Sequence, residues 1–254
     1  MEILLLIVFI ILLFIIFKPK QTFIENAKRL KILFITAENR DDKYIEDHDQ
    51  NLRNYCNKHG YTYLRTDNCP KSVSTTYWCK IHLVKENLDK GIYDYVVWLD
   101  SDTVITDYSK PLEYFINKYK KDIIIGNDCH IINTRKDINA GAFVIKNSDI
   151  GRNFINDCLL TLKSKPECIV DDQEQGEWAG ECYEQGVMNQ LRNGEYHDYI
   201  YVDEEKEFIY NDCFGSVYED LIEGNLLKEI DMPFIVHLCY IDNNDRSDFF
   251  KKYI

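Results

Sequence analysis

Apolar and polar positions alternate along this chain in blocks that name their own secondary structure. The first block, Ile3 to Phe17, is unbroken and apolar. As a helix its fifteen residues rise about 22 Å, short of the ~30 Å hydrocarbon core of a bilayer. Lys18 and Lys20 follow and can snorkel to the interface. Glu2 at the start and the absence of an Ala-x-Ala site argue against a cleaved signal peptide. Residues 1–20 are therefore expected to be an uncleaved membrane anchor, 21–30 a short stem, and 31–254 one domain.

Within that domain, Lys31 to Ala37 (KILFITA) predicts a buried strand. Ile45 to His59 has helical spacing and ends at Gly60. Tyr61 to Arg65 is rich in strand formers. Thr76 to Leu88 places Trp78, Ile81, Val84 and Leu88 on one helical face, and Asp94 to Leu99 (DYVVWL) is a third strand. Further along, Asp122 to Ile125 and Gly141 to Lys146 predict strands, and Ser148 to Leu162 a helix with Ser148 as N-cap. Ser164 to Cys182 is polar and without period. Glu184 to Leu191 predicts a short helix, Phe234 to Leu238 a strand, and Asp245 to Tyr253 a terminal helix. Alternating strands and helices imply an α/β domain with a mainly parallel sheet covered on both faces. In such sheets ligands bind beyond the carboxyl ends of the strands.

Composition narrows the function classes. The net charge is −13, with 43 acidic and 30 basic residues, which excludes a sequence-independent nucleic-acid binder. Aromatic residues make up 13% of the chain, too many for a disordered one. The nine cysteines form no C-x-x-C pair, so neither a zinc knuckle nor a redox motif is expected. They read as small buried hydrophobes rather than disulfide partners. Lysines and Arg29 after the apolar run, together with the absence of an N-x-S/T sequon, favour a cytosolic domain by charge bias.

The strongest chemical feature is Asp100-Ser101-Asp102, which ends the third strand. Asp47-His48-Asp49 has the same pattern, but in a helical segment, where i and i+2 do not share a face. Two carboxylates converging at a strand end repel unless a cation joins them. Oxygen ligands suit Mg²⁺ or Mn²⁺, and either ion also binds phosphate.

Around that motif the chain resembles a known family. Trp78-Cys79-Lys80-Ile81, followed by VVWLDSDTVI, is similar to nucleotide-sugar transferases of the GT-A fold, and most of all to glycosyltransferase family 34. The blocks Asn139-Ala140-Gly141-Ala142-Phe143-Val144, Glu184-Gln185-Gly186-Val187-Met188-Asn189 and Phe234-Ile235-Val236-His237-Leu238-Cys239 come in that family's order. The resemblance covers about Lys31 to Tyr240. It implies a Rossmann-like GT-A fold behind an N-terminal anchor in a Golgi- or ER-type lumen, in conflict with the charge bias.

It also implies roles. Thr36, Ala37 and Glu38 would line the nucleotide pocket, with Ser101 and Lys80 close to it. Asp100 and Asp102 would hold the metal against the diphosphate, and His237 would be the third ligand. Asn139 and Gly141 would sit near the donor sugar. Glu184 and Gln185 would act where the glycosidic bond changes. The expected reaction is Mn²⁺- or Mg²⁺-dependent, retaining transfer from a UDP- or GDP-sugar to a glycan or glycoprotein. A neutral imidazole is required of His237, so metal binding is expected to weaken below pH ~6.5.

Two departures from the family stand out. No lysine follows His237 within a few residues, and Asp171-Asp172-Gln173 is a second match to the family's Asp-Asp-Gln. Glu184-Gln185 is preferred because an apolar helix follows it directly. Two other readings compete. One is a haloacid-dehalogenase-type phosphatase with Asp100 as nucleophile and Asp102 as general acid. The other is a non-catalytic, membrane-tethered sugar-nucleotide-binding protein.

Overall fold

The computed structural model describes residues 29–70, 75–128, 137–212, 232–239 and 241–254. The apolar run from Ile3 to Phe17 lies outside them. Among the described residues, no helix is long and apolar enough to cross a membrane.

The domain opens with β1 (Ile32–Ala37), α1 (Lys43–His59), β2 (Thr62–Thr66), α2 (Thr76–Asp89) and β3 (Tyr95–Leu99). Gly60 closes α1 in the left-handed conformation, at φ 66°, where a glycine carries no Cβ penalty. All five residues of β3 are buried, as a strand covered on both faces requires. Next come β4 (Thr103–Ile105), α3 (Leu112–Tyr119), β5 (Ile123–Asn127), β6 (Ile138–Lys146) and α4 (Asp149–Lys163). The Ser148 hydroxyl caps α4 by accepting the Gly151 N–H at 3.1 Å. The polar stretch after α4 holds a short hairpin, β7 (Ile169–Val170) with β8 (Gln173–Glu174). The chain then forms α5 (Glu184–Asn193), β9 (Ile200–Asp203), β10 (Ile209–Asn211), β11 (Ile235–His237) and α6 (Asn243–Phe250).

The main sheet has the order β2-β1-β3-β6-β5-β9. It is mixed, which corrects the expectation of a mainly parallel sheet. β1, β2 and β3 are parallel and β5 pairs β9 in parallel, but β6 runs antiparallel to both β3 and β5. The connection from β5 to β6 is shorter than the dozen or more residues a parallel crossover needs, so the chain has to return antiparallel. A second sheet, β10-β11-β4, continues from the end of β3. It places His237 opposite Thr103.

Two apolar layers clamp the main sheet. One carries Trp78 and Val84 of α2, Phe154 of α4 and Met188 of α5. The other carries Tyr55 of α1, Phe115 of α3, and Phe208 and Phe234 near the small sheet. α6 packs through Phe249 and Phe250 on Tyr44, Val236 and Leu238.

Four cysteines depart from their expected role, while Cys56 and Cys158 are buried and unbridged as expected. Cys69–Cys79 and Cys168–Cys182 are disulfides, while Cys56, Cys158 and Cys239 are free. Each pair bridges Cα atoms 5.4 and 4.9 Å apart, separations that the tertiary fold creates and no local motif announces. Loops of this length gain about 3 kcal/mol apiece from closure. Reduction is expected to lower the melting temperature by on the order of 10 °C in a domain of this size. Thermal unfolding with and without reductant measures this; coincident curves would contradict it.

Candidate metal and nucleotide-sugar site

The carboxyl ends of β1 and β3, the start of β4, the middle of β6, the start of α5 and the end of β11 converge. Asp100 leaves β3 with its backbone N–H on the Gly141 carbonyl at 2.7 Å. Its Oδ1 accepts the Trp98 indole N–H at 2.6 Å and lies 3.0 Å from Lys80 Nζ. Asp102 starts the small sheet, and its carbonyl accepts the Leu238 N–H at 2.9 Å. That bond carries the neighbouring His237 to the acidic pair. Asp102 Oδ1 is 3.0 Å from His237 Nε2, and Oδ2 is 3.3 Å from the Arg246 guanidinium.

The imidazole is oriented from behind. The Asn211 amide donates to the Asn127 carbonyl at 2.6 Å, which turns its Oδ1 towards His237 Nδ1 at 2.8 Å. Nδ1 therefore carries the proton of the neutral ring, and Nε2 keeps the lone pair on the side of Asp102, an arrangement common behind metal-bound histidines. One ligand atom each from Asp100, Asp102 and His237 lies within 4.8 Å of the others. Two carboxylates and an imidazole suit Mn²⁺, so the donor set fits a divalent cation.

Gly141 is needed here for space. A Cβ at this position would lie 2.2 Å from His237 Cε1 and 2.5 Å from its Nδ1. The strand makes that room with a bulge: Ile125 faces Phe143 while Gly126 faces Asn139, so the pairing of β5 with β6 jumps across residues 140–142.

Burial drives the His237 pKa down, but Cys239 and Asp102 more than reverse this and hold it well above 6.5. Burial likewise pushes Asp102 up, and His237 and Arg246 outweigh it, leaving the carboxyl at about 2. The raised value favours a ring protonated and paired with Asp102 when no metal is bound, so the weakening of metal binding expected below pH ~6.5 should set in at higher pH. A metal has to displace that proton, so affinity should fall as pH falls through the raised His237 value, already above 6.5. Mn²⁺ titrations between pH 6 and 9 check this; affinity constant down to pH ~6.5 would contradict it.

Beside this trio lies a second charged group. Lys80 Nζ sits 3.0 Å from Asp100 Oδ1 and 3.1 Å from Glu184 Oε1, and donates to the Ala140 carbonyl at 3.2 Å. Burial lowers the Lys80 pKa, but the two carboxylates outweigh it and raise the net value. For Glu184, burial raises the pKa, Lys80 opposes and Asp100 adds to the rise. Glu184 Oε2 is buried with no hydrogen-bond partner among the described residues. Gln185 accepts the Ala140 N–H at 3.0 Å, and Asn139 Oδ1 accepts the Gly141 N–H at 2.8 Å. These bonds fix both side chains to the β6 bulge.

Glu38, at the end of β1, is also engaged. Its carboxylate accepts the Asn39 and Arg40 N–H groups and the Ser101 hydroxyl, the last at 2.7 Å, and it pairs with Arg40. Burial raises its pKa, but those bonds outweigh burial and hold it at about 2. Glu38 thereby positions Ser101 and Arg40. Thr36 is buried, with its hydroxyl 3.3 Å from His48 Nε2, and lines neither cleft described next.

Two clefts meet at the acidic pair. The larger, about 900 Å³, is walled by Ala37 and Glu38, by Asp67 to Cys69, by Thr75 and by Asp172 to Glu174. The smaller, about 520 Å³, is walled by Asn139, Gly141, Trp178, Tyr183 to Gln185 and His237. Arg40, Tyr77, Lys80, Asp100 and Asp102 line both. Asp171 and Asp172 take left-handed φ values of 51° and 59° in the β7–β8 turn, whereas Glu184 and Gln185 open α5.

Sequence patterns missed Arg40, Trp178, Arg246 and Asn211. Each acts through a tertiary contact and belongs to no recognisable block. An arginine two residues past an acid at a strand end was the one available signal.

Residues 26–124 match the model of the galactosyl transferase GMA12/MNN10 family. That stretch contains Lys80, Asp100 and Asp102 but stops before Asn139, Glu184 and His237. In three dimensions the chain is similar to a glycosyltransferase involved in the glycosylation of the major capsid of PBCV-1. The identity is 14%, over 87% of this chain and 99% of that one, with a TM-score of 0.58. It is also similar to the apo form of the glycosyltransferase GlyE of Streptococcus pneumoniae TIGR4. There the identity is 15%, over 89% of this chain and 60% of that one, with a TM-score of 0.50. No curated protein sequence matches at a significant level. In sequence over residues 26–124, and in fold over the domain, the chain is similar to glycosyltransferases, and the family it resembles is the galactosyl transferase GMA12/MNN10 family.

Proposed function

We propose that this protein transfers a sugar from a UDP- or GDP-linked donor to a glycan or glycoprotein, with retention of configuration and with a divalent metal, Mn²⁺ before Mg²⁺. The observation that carries this is the Asp100, Asp102 and His237 cluster at the junction of two clefts. One cleft has room for a nucleotide, and the other places Glu184 and Gln185 beside the same cluster. A cation held by those three residues supplies Lewis-acid stabilisation of the leaving diphosphate.

The rest of the chemistry belongs to the chain. Ala37 and the loop after it border the nucleotide. Arg40 and Lys80 are the cations at the junction, and Arg40, with a side chain 56% exposed, can reach a diphosphate. It would substitute for the family's lysine that is missing after His237. Gln185 and the α5 N-terminus face the donor sugar. Glu184 is held by Lys80 and buried, a poor arrangement for a covalent nucleophile, so same-face attack by the acceptor hydroxyl is the favoured route to retention.

The phosphatase reading places its nucleophile after the first strand, whereas β1, α1, β2 and α2 precede Asp100 here, and it gives no role to Asn139, Glu184 or His237. The acceptor reading follows the PBCV-1 relative, whose described role is in capsid glycosylation. For the setting, we propose a domain anchored by residues 1–20 on the lumenal side, because disulfides persist in oxidising compartments. Purified protein incubated with a panel of UDP- and GDP-sugars, with and without Mn²⁺, and with a phosphatase substrate, tests the reaction. Mn²⁺-dependent release of UDP or GDP is expected; phosphate release from the phosphatase substrate alone would contradict it.

A further inference from the structure

The three tryptophans of this chain have different situations. Trp78 and Trp98 are 0% and 3% exposed, whereas Trp178 is 52% exposed. A single exposed apolar side chain needs no explanation by itself; what sets Trp178 apart is its place. Trp178 lines the smaller cleft together with Tyr183, Tyr77, His237 and Asn139. Tyr77 is itself 40% exposed and meets Tyr183 edge-on, with ring centroids 5.2 Å apart.

The turn that carries Trp178 is built to hold it there. The Gly180 N–H bonds the Glu177 carbonyl, and the Tyr183 N–H bonds the Gly180 carbonyl, both at 3.0 Å. Ala179 is forced to a left-handed φ of 58°, a strained conformation of the kind found at ligand sites. The turn presses on the first turn of α5 so closely that a Cβ on Gly186 would lie 1.9 Å from the Gly180 carbonyl oxygen. The Cys168–Cys182 bridge, and the Trp78 indole bonded to the Cys182 carbonyl at 3.1 Å, fix the other end. The turn that carries the indole is therefore held against the helix that begins with Glu184.

We propose that Trp178, with Tyr77 and Tyr183 beside it, is the stacking platform for a pyranose ring of the acceptor saccharide. The proposal rests on the transferase reading above. A pyranose has one face of C–H bonds that carry partial positive charge, and an indole face is electron-rich, so the two stack while the sugar hydroxyls turn to the polar groups of the cleft. A nucleobase also stacks on aromatic rings, but Trp178 does not line the larger cleft at the end of β1. The donor's nucleotide is assigned there, and its sugar to Gln185 and the start of α5, so the indole, outside both assignments, is given to the acceptor.

The test uses the full chain in a detergent without a sugar headgroup. Methyl pyranosides of galactose, glucose, mannose and xylose are titrated in the presence of Mg²⁺ and UDP or GDP, with saturation-transfer NMR and tryptophan emission as readouts. At least one pyranoside is expected to bind saturably, with transfer concentrated on the C–H protons of one ring face and a blue shift of the emission. Trp178→Ala should raise the half-saturating concentration at least ~10-fold, Trp178→Phe by less, and nucleotide affinity should stay within ~2-fold. The absence of saturable binding to the wild type, or unchanged binding to Trp178→Ala, would overturn the platform. Loss of nucleotide affinity in Trp178→Ala, or displacement of the bound pyranoside by an intact UDP- or GDP-sugar, would assign the indole to the donor and overturn it equally. If the wild type binds pyranosides through Trp178 but no nucleotide, the platform stands and the transferase reading falls.

Discussion

Asp100→Asn and Asp102→Asn should each lower metal-dependent transfer by at least ~10³-fold, equivalent to about 4 kcal/mol of transition-state stabilisation. Each replacement keeps the shape of the side chain. The amide that replaces the Asp100 carboxylate can still accept the Trp98 indole N–H, and the Asp102 carbonyl that holds Leu238 is untouched. What is lost is an anionic ligand at the cation. Asp100→Asn leaves Lys80 with Glu184 alone, and Asp102→Asn leaves His237 and Arg246 without their carboxylate, so the melting temperature should fall while the domain stays folded at the assay temperature. Activity within tenfold of wild type in either variant, measured as Mn²⁺-dependent nucleotide release, would remove the metal assignment.

Lys80→Met should have the largest effect on stability. Lys80 is 7% exposed and is the cation between Glu184 and Asp100. Removing one member of a buried ion pair leaves an uncompensated charge, at a cost of about 3–5 kcal/mol. Urea unfolding at pH 7.5 should show most of that loss. The deficit should shrink as the pH is lowered. Without Lys80, the Glu184 pKa rises further above its unfolded value, so the folded variant binds a proton that the unfolded chain binds only at lower pH. A deficit that stays constant or grows between pH 7.5 and 5 would show that Glu184 is not the group left unpaired. A Lys80→Met protein as stable as wild type would show that the ion pair is dispensable.

Much of the fold was legible in the sequence because its buried strands are short continuous apolar runs ended by turn residues. KILFITA and DYVVWL needed no tertiary information. The direction of β6 did, because apolar strands buried on both faces look alike whether they run parallel or antiparallel. The three-residue strands β4, β10 and β11 form the small sheet; β4 and β10 were too short for periodicity to detect. The pair Asp100 and Asp102 could be picked out because a buried strand runs directly into it. His237 lies about 135 residues later, and its place beside Asp102 depends on β11 pairing with β4; only resemblance to a family suggested it. Thr36 was expected at the nucleotide from the family resemblance, but alternation turned its hydroxyl to His48. Cys69, Cys79, Cys168 and Cys182 were misread because disulfide partners are chosen by distance in the fold.

The central claim is that Asp100, Asp102 and His237 together hold the metal that the transfer requires. Titrating Mn²⁺ against nucleotide release in His237→Ala, in a preparation whose melting curve is intact, tests it most directly. The account predicts that half-maximal activity requires at least ~10-fold more Mn²⁺ and that the preference for Mn²⁺ over Mg²⁺ narrows. A curve that superimposes on that of the wild type would make His237 a hydrogen-bonded core histidine and contradict the three-ligand centre.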